Sequence, residues 1–309
     1  MLSDYLVILN PAAARGRVAR GWARAQTAFD AAGARYEVVR TRAPGEAAAI
    51  AERAVREGWA AVVAAGGDGT VHEVVNGLVR ASGDRPTVPL GIVPLGSGND
   101  FAWLAGVPRA PAAAVRRLLA AAPRAVDVGR VRGRGLLPSP LGAEQLFTNG
   151  VGVGFDARVA IAARRVRRLR GMAIYAWALL GVLRTHRTPR IRVEIDGVEV
   201  ADRPLTLVTI CNGGRHGGGF RICPDARIDD GRLDVCIAEA LSRTGLLRLV
   251  PEVMRGTHVG RREVEIRPAL RVHLTSDDAL AVHADGEILA EAAHELEIEI
   301  LPGRLTLLA

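Results

Sequence analysis

Residues Ala64 to Leu78 read AAGGDGTVHEVVNGL, in which an apolar run passes directly into Gly66-Gly67-Asp68-Gly69-Thr70 and then into a helical pattern. The run from Ala60 to Ala65 is apolar enough to form a strand buried on both faces, and Thr70 to Ala81 has the spacing of a helix. Three glycines in the four positions from Gly66 to Gly69 let the backbone turn tightly and bring its N–H groups close to a bound group. The helix that follows adds a partial positive charge at its N-terminus. Phosphate is the natural occupant, although a turn that only needed flexible residues would read the same way. Asp68 at the apex would repel phosphate unless a metal ion or a hydroxyl lay between them. Gly67, Gly69 and Thr70 are therefore expected to face phosphates, with Asp68 managing the metal. The segment matches neither GxGxxG nor GxxxxGK[ST].

The same alternation extends outward. Tyr5 to Leu9, Tyr36 to Val39 and Leu90 to Val93 read as further strands, and Arg17 to Ala32, Gly45 to Glu57 and Ala112 to Ala121 as helices. Strands alternating with helices imply a parallel sheet covered on both sides, with ligands at the carboxyl ends of its strands. After Ala125 the pattern changes. Ala125–Val131, Leu146–Asn149, Arg190–Ile195, Leu205–Cys211, Leu233–Ala238, Glu263–Ile266, Leu270–Leu274, Ala279–His283 and His294–Leu301 read as strands between Gly, Asp and Pro turns. Helical segments near 157–183 and 242–255 interrupt them. That is an antiparallel sandwich or barrel. The expected units are 1–126 and 127–309, with the last residues free to return and pack on the first.

A length of 309 residues agrees with two domains at roughly 150 residues each. The chain carries 41 basic side chains against 33 acidic, a net charge of +8, and every basic residue is Arg. Chemistry that needs a lysine, such as a P-loop lysine or a Schiff base, is excluded. The charge is local: between Ala157 and Val193 there are ten Arg and no acidic residue, which points to a surface for a polyanionic partner. Cys211, Cys223 and Cys236 lack CxxC spacing, so they are expected to be reduced and buried rather than a disulfide framework or zinc site. The N-terminus lacks a signal-peptide pattern, and the longest nearly charge-free apolar stretch, Met172 to Leu183, is too short to cross a bilayer.

Further segments extend the pattern: PLGSGNDFA (Pro94–Ala102), Asn10-Pro11 after the first strand, VDVG around Asp127, NGVGVGFDARV (Asn149–Val159), PDARIDDGRLDV (Pro224–Val235) and HADGE (His283–Glu287). Taken with GGDGTVHEVVNG, this ordered set resembles the diacylglycerol kinase-like lipid kinases, which include bacterial diacylglycerol kinases and sphingosine kinases, over nearly the whole chain. GGDG alone is shared with NAD kinases and phosphofructokinases. The resemblance implies an α/β parallel-sheet nucleotide domain of the NAD kinase/diacylglycerol kinase kind followed by an antiparallel β-sandwich. It implies ATP held at Asn10, Pro11, Ala12, Ala13, Ala14, Thr41, Gly66, Gly67, Asp68, Gly69, Thr70, Val71, His72 and Ser97. It implies Mg2+ bound by the Asp230 carboxylate and the carbonyls of Arg227 and Arg232, with Asp68 and Asp127 linking that ion through water to the nucleotide. Glu287 matches the family's general base. One departure is the first loop, NPAAARGR, where small polar residues followed by Gly are usual. Backbone contacts must replace hydroxyls at Ala12 to Ala14, with Arg15 or Arg17 as candidate compensation.

Each of these residues also has a plainer reading. Ser97 suits a helix N-cap, Asn10 a strand-end turn, and Asp229-Asp230-Gly231 an acidic turn. Asp285-Gly286 suits a hairpin turn that leaves Glu287 exposed on a strand. His72 is expected to face nucleotide or solvent, and His216, in the Gly-rich Asn212–Phe220, to line an acceptor pocket under a lid. Arg158 to Arg187 reads as an interfacial element drawn to anionic headgroups, or as a helix pair packed on the sandwich with solvated arginines. Aromatic residues are only 4% and no nucleic-acid motif is present. The expected activity is ATP-dependent phosphorylation of a lipid hydroxyl, in a cytoplasmic protein held peripherally at the inner face of the membrane. The alternatives are an NAD kinase-like enzyme with a soluble substrate and a non-catalytic lipid or nucleotide sensor. Exposed sandwich edges would permit a homodimer.

Overall fold

A computed structural model of the chain describes residues 4–16, 18–166, 172–185 and 187–309. Strands β1 (Tyr5–Leu9), β2 (Tyr36–Arg40), β3 (Ala61–Gly66) and β4 (Leu90–Pro94) pair in parallel in the order β4-β3-β1-β2. Every residue of β3 and β4 is buried, as their unbroken apolar sequences require of strands covered on both faces. Alternation sorts the side chains. Leu6, Ile8, Val62 and Ala64 join one core with α3 (Glu46–Glu57) and α4 (Asp68–Ser82). Val7, Leu9, Val63 and Ala65 join another with α2 (Val18–Ala31) and α6 (Pro111–Ala120). Two short helices, α1 (Ala13–Gly16) and α5 (Asp100–Leu104), follow β1 and β4.

The α3–α4 contact requires glycine at Gly77, where an added Cβ would lie 2.2 Å from the carbonyl oxygen of Ala48. A methyl group there meets backbone, which cannot step aside. Gly77→Ala is expected to cost about 1–3 kcal/mol of stability, read as a lower Tm by circular dichroism. An unchanged Tm would contradict this close approach.

The second half is built on β5 (Arg124–Arg134), β6 (Gln145–Phe147), β7 (Gly150–Gly154), β8 (Arg190–Ile195), β9 (Val198–Cys211), β10 (Leu233–Glu239), β11 (Val264–Ala269), β12 (Arg271–Ala284) and β13 (Glu287–Leu308). Antiparallel pairing gives the order β11-β10-β9-β7-β12-β13, with β5 beside β13 and β8 bridging β12 and β9. Leu307 and Leu308 at the end of β13 pair in parallel with Leu90 and Gly91 of β4, so the final strand is continuous with the first sheet. Outward-facing residues form a ladder in which Arg130, Arg132 and Arg134 stand opposite Glu299, Glu297 and Glu295. Each exposed pair of this kind contributes about 0.2–1 kcal/mol.

Some sequence expectations differ from the structure. Leu270–Leu274 and Ala279–His283 are one strand, β12, whose register shifts between Thr275 and His283. His294–Leu301 is the middle of the 22-residue β13. Leu205–Cys211 extends back to Val198, because Asp196 and Gly197 with φ of 51° and 83° make a tight hairpin to β8. The expected strand Leu146–Asn149 stops at Phe147, and the chain resumes as β7, whose alternating glycines carry no strand signal. The basic segment forms α7 (Phe155–Arg165) and α8 (Met172–Arg184). Arg167, Arg168 and Arg170 lie outside the described residues. Helix α9 (Arg243–Arg255) completes the set, and no helix among the described residues is long and apolar enough to cross a membrane.

Candidate active site

The carboxyl ends of β3 and β4 meet backbone to backbone. A Cβ on Gly96 would lie 2.5 Å from Cα of Gly67, and one on Gly66 would lie 2.3 Å from Oγ1 of Thr70. These glycines are needed for the close approach of the two loops to each other and to α4. Asp68 joins the loops: its carboxylate accepts from the N–H of Asn99 at 2.7 Å and of Asp100 at 2.6 Å, capping α5 where Asn99 adopts a φ of 55°. Burial, with the charge of Asp100 behind it, raises the Asp68 carboxyl to about 6 against the pull of those two N–H groups. The apex carboxylate is therefore engaged in holding the second Gly-rich loop, which the expectation of a metal-managing Asp68 did not include.

The other residues expected at the nucleotide are placed as follows. Asn10 combines both its readings, since its side chain accepts from Ala12 N–H and donates to Thr70 Oγ1, both at 3.0 Å. The Thr70 hydroxyl oxygen thus accepts from Asn10 at the end of β1. Val71 is buried in the core, so only its main chain can face a ligand. Thr41 is buried, with its N–H on Leu9 O, while Pro11 and Ala12 are exposed and Ala13 and Ala14 half-buried. Ser97 is exposed on its loop and is not the N-cap, a position that Asn99 occupies. Arg17 and the side chain of Arg15 lie outside the described residues.

A third Gly-rich loop, Asn212–Phe220, closes against the second. Asp100 accepts from Arg215 Nε at 2.8 Å and from Gly218 N–H at 2.7 Å, and the Arg215 guanidinium lies over the Trp103 ring, 4.9 Å from its centroid. Neither Asp100 nor Arg215 was singled out in the sequence. The two are 115 residues apart, and no local spacing signals such a pair.

Glu287, the first residue of β13, reaches the first Gly-rich loop: a Cβ on Gly69 would lie 3.3 Å from its Oε1. Its other oxygen accepts from Arg164 of α7, which also donates to Gly286 O at 3.2 Å. Asp285 anchors the turn that carries Glu287. It adopts a φ of 50° and accepts from Thr148 N–H at 2.7 Å, Thr148 Oγ1 at 3.1 Å, Asn149 N–H at 2.8 Å and Gly150 N–H at 3.0 Å. His72 Nδ1 lies 3.3 Å from the same carboxylate. Burial works against this carboxylate, yet His72 and the main-chain donors hold it below its ordinary range. Burial likewise works against protonated His72, and the Asp285 hydrogen bond and charge overcome it, so the imidazole is held above its ordinary value. His72, expected to face nucleotide or solvent, is a buried link between α4 and the β12–β13 turn. Asp285, expected only to shape a hairpin, is its partner.

Asp127 is buried, and its two oxygens accept from Gly231 N–H and Gly303 N–H, each at 2.7 Å. It holds the 229–231 turn against β13 directly. Asp230 is exposed and caps its own turn through Arg232 N–H. Among the described residues no three His, Cys, Asp or Glu side chains gather to hold a metal ion. Chemically, the arrangement combines a glycine-lined, amide-rich cradle at the ends of two parallel strands with a carboxylate poised over it, which suits transfer of a phosphoryl group to a hydroxyl.

Comparison with known proteins agrees with this chemistry. Residues 4–131 match the family described as the diacylglycerol kinase catalytic domain, and residues 149–309 the YegS C-terminal NAD kinase beta sandwich-like domain. The chain is 35% identical over 256 residues to a diacylglycerol kinase of Mycobacterium tuberculosis, covering 82% of this chain and 78% of that one. It is 33% identical over 270 residues to a probable YegS-like lipid kinase of Chromohalobacter salexigens, covering 86% and 81%. A crystal structure of a putative diacylglycerol kinase from Bacillus anthracis superposes with a TM-score of 0.79 at 24% identity, covering 99% of this chain and 95% of that one. Yeast NADH kinase complexed with NADH gives 0.51 at 10% identity, over 99% and 83%. These two structural likenesses speak for the fold alone.

Proposed function

The chain belongs to the diacylglycerol kinase-like family of lipid kinases, and from that premise we propose that it transfers the γ-phosphate of ATP to a hydroxyl of a lipid such as diacylglycerol. The observation that carries this reading is the approach of the Glu287 carboxylate to Gly69. A proton acceptor from the sandwich half stands over the loop best suited to phosphate. The triphosphate rests on the N–H groups of the loops at Gly66–Gly69 and Gly96–Gly98 and on the N-terminus of α4. Glu287 takes the proton of the lipid hydroxyl as its oxygen bonds to the γ-phosphorus, and the bond to the β–γ bridging oxygen breaks to release ADP. Arg164 orients Glu287, and Asp285 with His72 fixes the turn that carries it. Asp230 with the carbonyls of Arg227 and Arg232 would hold a Mg2+, and such an ion would supply neutralisation of the charge on the phosphates. In this reading 1–126 serves the nucleotide and 127–309 the lipid.

The lipid's chains have a place to go. A cavity of about 670 Å3 lies between α7, α8 and β12, lined by Ile161, Ala162, Val182, Leu280 and Ala281 together with Arg158 and Arg187. That is within the range of about 300–1,000 Å3 found for ligand pockets. Helix α7 lines it and also carries Arg164. Helix α8 leaves Trp177 64% and Leu180 53% exposed, next to the basic segment, a combination suited to docking on an anionic membrane surface. An NAD kinase has no use for such a face. With γ-labelled ATP supplied to the protein together with dioleoylglycerol micelles and NAD, label is expected in the organic phase. Label appearing in NADP instead would overturn the lipid reading.

A further inference from the structure

The carboxylate that would take the lipid's proton shares its place with a cation. Arg164, in the last turn of α7, donates from Nη2 to Oε2 of Glu287 and, at 3.2 Å, to Gly286 O. Its Nε and Nη1 make no hydrogen bond among the described residues. Oε1 of Glu287 is the oxygen that faces the phosphate loop, 3.3 Å from where a Cβ on Gly69 would stand. The guanidinium is therefore one carboxylate group away from the place expected for the γ-phosphate. The two side chains are 49% and 44% exposed, so the pair borders an open cleft rather than a packed core. Helix α7 is seated firmly enough to aim it. Phe155 and Ala157 are buried, and Arg158 donates to Thr185 O just beyond α8 at 3.0 Å. A carboxylate beside a phosphate repels it, and the chain has no lysine to offset either charge. Among the described residues, other basic groups near the loops are committed or neutral. Arg215 holds Asp100 and Gly218 O and lies over Trp103. His72 is buried with its Nδ1 on Asp285. Burial pushes His216 down, and His283 down to about 4, which leaves both rings neutral at neutral pH.

We propose that Arg164 is a catalytic residue: it holds Glu287 with one nitrogen and donates to the γ-phosphoryl group with the others, so that one side chain aligns the proton acceptor and neutralises the group in transit. The inference rests on the lipid-kinase reading and deepens it by naming this chain's own cation for the transferred group. The planar fork of a guanidinium can meet two oxyanions at once, which the point charge of an ammonium does less well. During transfer the bond from the lipid oxygen to the γ-phosphorus forms. The bond to the β–γ bridging oxygen breaks, its electron pair leaves on ADP, and the lipid's proton passes to Glu287. Glu287 thereby becomes neutral and loosens its hold on Arg164 while charge is moving across the phosphoryl oxygens. Arg164 itself keeps its protons throughout, because a guanidinium is not deprotonated in proteins. Donors aimed at the place where charge develops, and set there before the reaction, lower the barrier without reorganisation.

The test uses the full chain with Arg164→Gln and Arg164→Lys, each checked for a native Tm. Calorimetry compares Mg·ADP alone with Mg·ADP plus aluminium fluoride, which imitates the phosphoryl group in transit. The native protein is expected to bind the fluoride complex more tightly. Arg164→Gln should leave the affinity for Mg·ADP within a few-fold of native and remove the gain from fluoride. Its kcat with dioleoylglycerol should fall by about 10²–10³-fold, the usual loss when one donor to developing charge is removed. Arg164→Lys, which keeps the charge without the fork, should recover part of both. The same loss of the fluoride gain is expected in a Glu287→Gln background, where no proton acceptor remains to be oriented. A loss seen only with native Glu287 would make Arg164 a positioning residue for that carboxylate and overturn the proposal. An Arg164→Gln variant that phosphorylates lipid at the native rate overturns it as well. If the native protein phosphorylates no lipid, the kinase reading fails. A fluoride gain that Arg164→Gln abolishes still supports the cation's contact with a phosphoryl group, and equal binding by the two proteins rejects it.

Discussion

Glu287→Gln is expected to lower lipid phosphorylation by about 10²–10⁴-fold, the usual contribution of a positioned proton acceptor, while ATP binding measured by calorimetry stays within a few-fold of native. The substitution keeps the length and shape of the side chain over Gly69 and removes its ability to take a proton. It also replaces the charged partner of Arg164 with a neutral one. That ion pair is largely exposed on both sides, so its loss contributes little to stability and the variant should fold with a native Tm. A fall in kcat with an unchanged KM for ATP distinguishes lost chemistry from lost binding. A protein that only senses lipid or nucleotide would show no difference in either binding activity. A variant that phosphorylates lipid at the native rate removes Glu287 from the reaction.

The second large effect is expected at Asp285. Its replacement by Ala leaves three main-chain N–H groups, the Thr148 hydroxyl and the His72 ring without their shared acceptor. Breaking a buried charged pair of this kind costs about 3–5 kcal/mol, enough to endanger the fold. The pH dependence carries a signature that general destabilisation does not. Asp285 is held below its ordinary range, so its contribution is present above the unfolded value of about 3.9 and is lost as pH falls below that. His72 is held above its ordinary value. Its contribution is therefore complete below an unfolded value of about 6.5 and is lost as pH rises through the folded one. In Asp285→Ala burial, the largest influence on His72, is opposed only by the charges of Glu287 and Glu73, so the folded pKa is expected to fall below the unfolded one and stability to rise with pH as the ring loses its proton. Denaturant titrations at a series of pH values between 5 and 9 read both slopes. The same slope in the native protein and the variant would show that the two residues are not coupled.

The sequence disclosed the chemistry-bearing turns more readily than the contacts that give them their roles. The parallel sheet was legible because β3 and β4 are continuous apolar runs that break into glycine at their carboxyl ends. Asp68, Asp127 and Glu287 stood out as candidates because each sits in a compact motif. What they hold was not. Asp127 meets Gly303 across 176 residues and Asp100 meets Arg215 across 115, and such pairs exist only after the halves fold together. Asp285-Gly286 is a good hairpin turn by local rules, and nothing local announces that its carboxylate takes donors from residues 148 to 150 and from α4. Strand β7 escaped because alternate glycines carry no strand preference. They are required instead by the His216, Asp156 and His283 side chains that crowd that face.

The most direct measurement follows phosphorus itself. The protein is incubated with Mg·ATP and dioleoylglycerol or 1-oleoylglycerol in micelles and observed by phosphorus NMR. The expected result is a lipid phosphomonoester resonance growing in step with ADP, one for one, and absent without lipid. ADP accumulating with inorganic phosphate and no phosphomonoester, or ATP left unchanged in the presence of either lipid, would contradict the account.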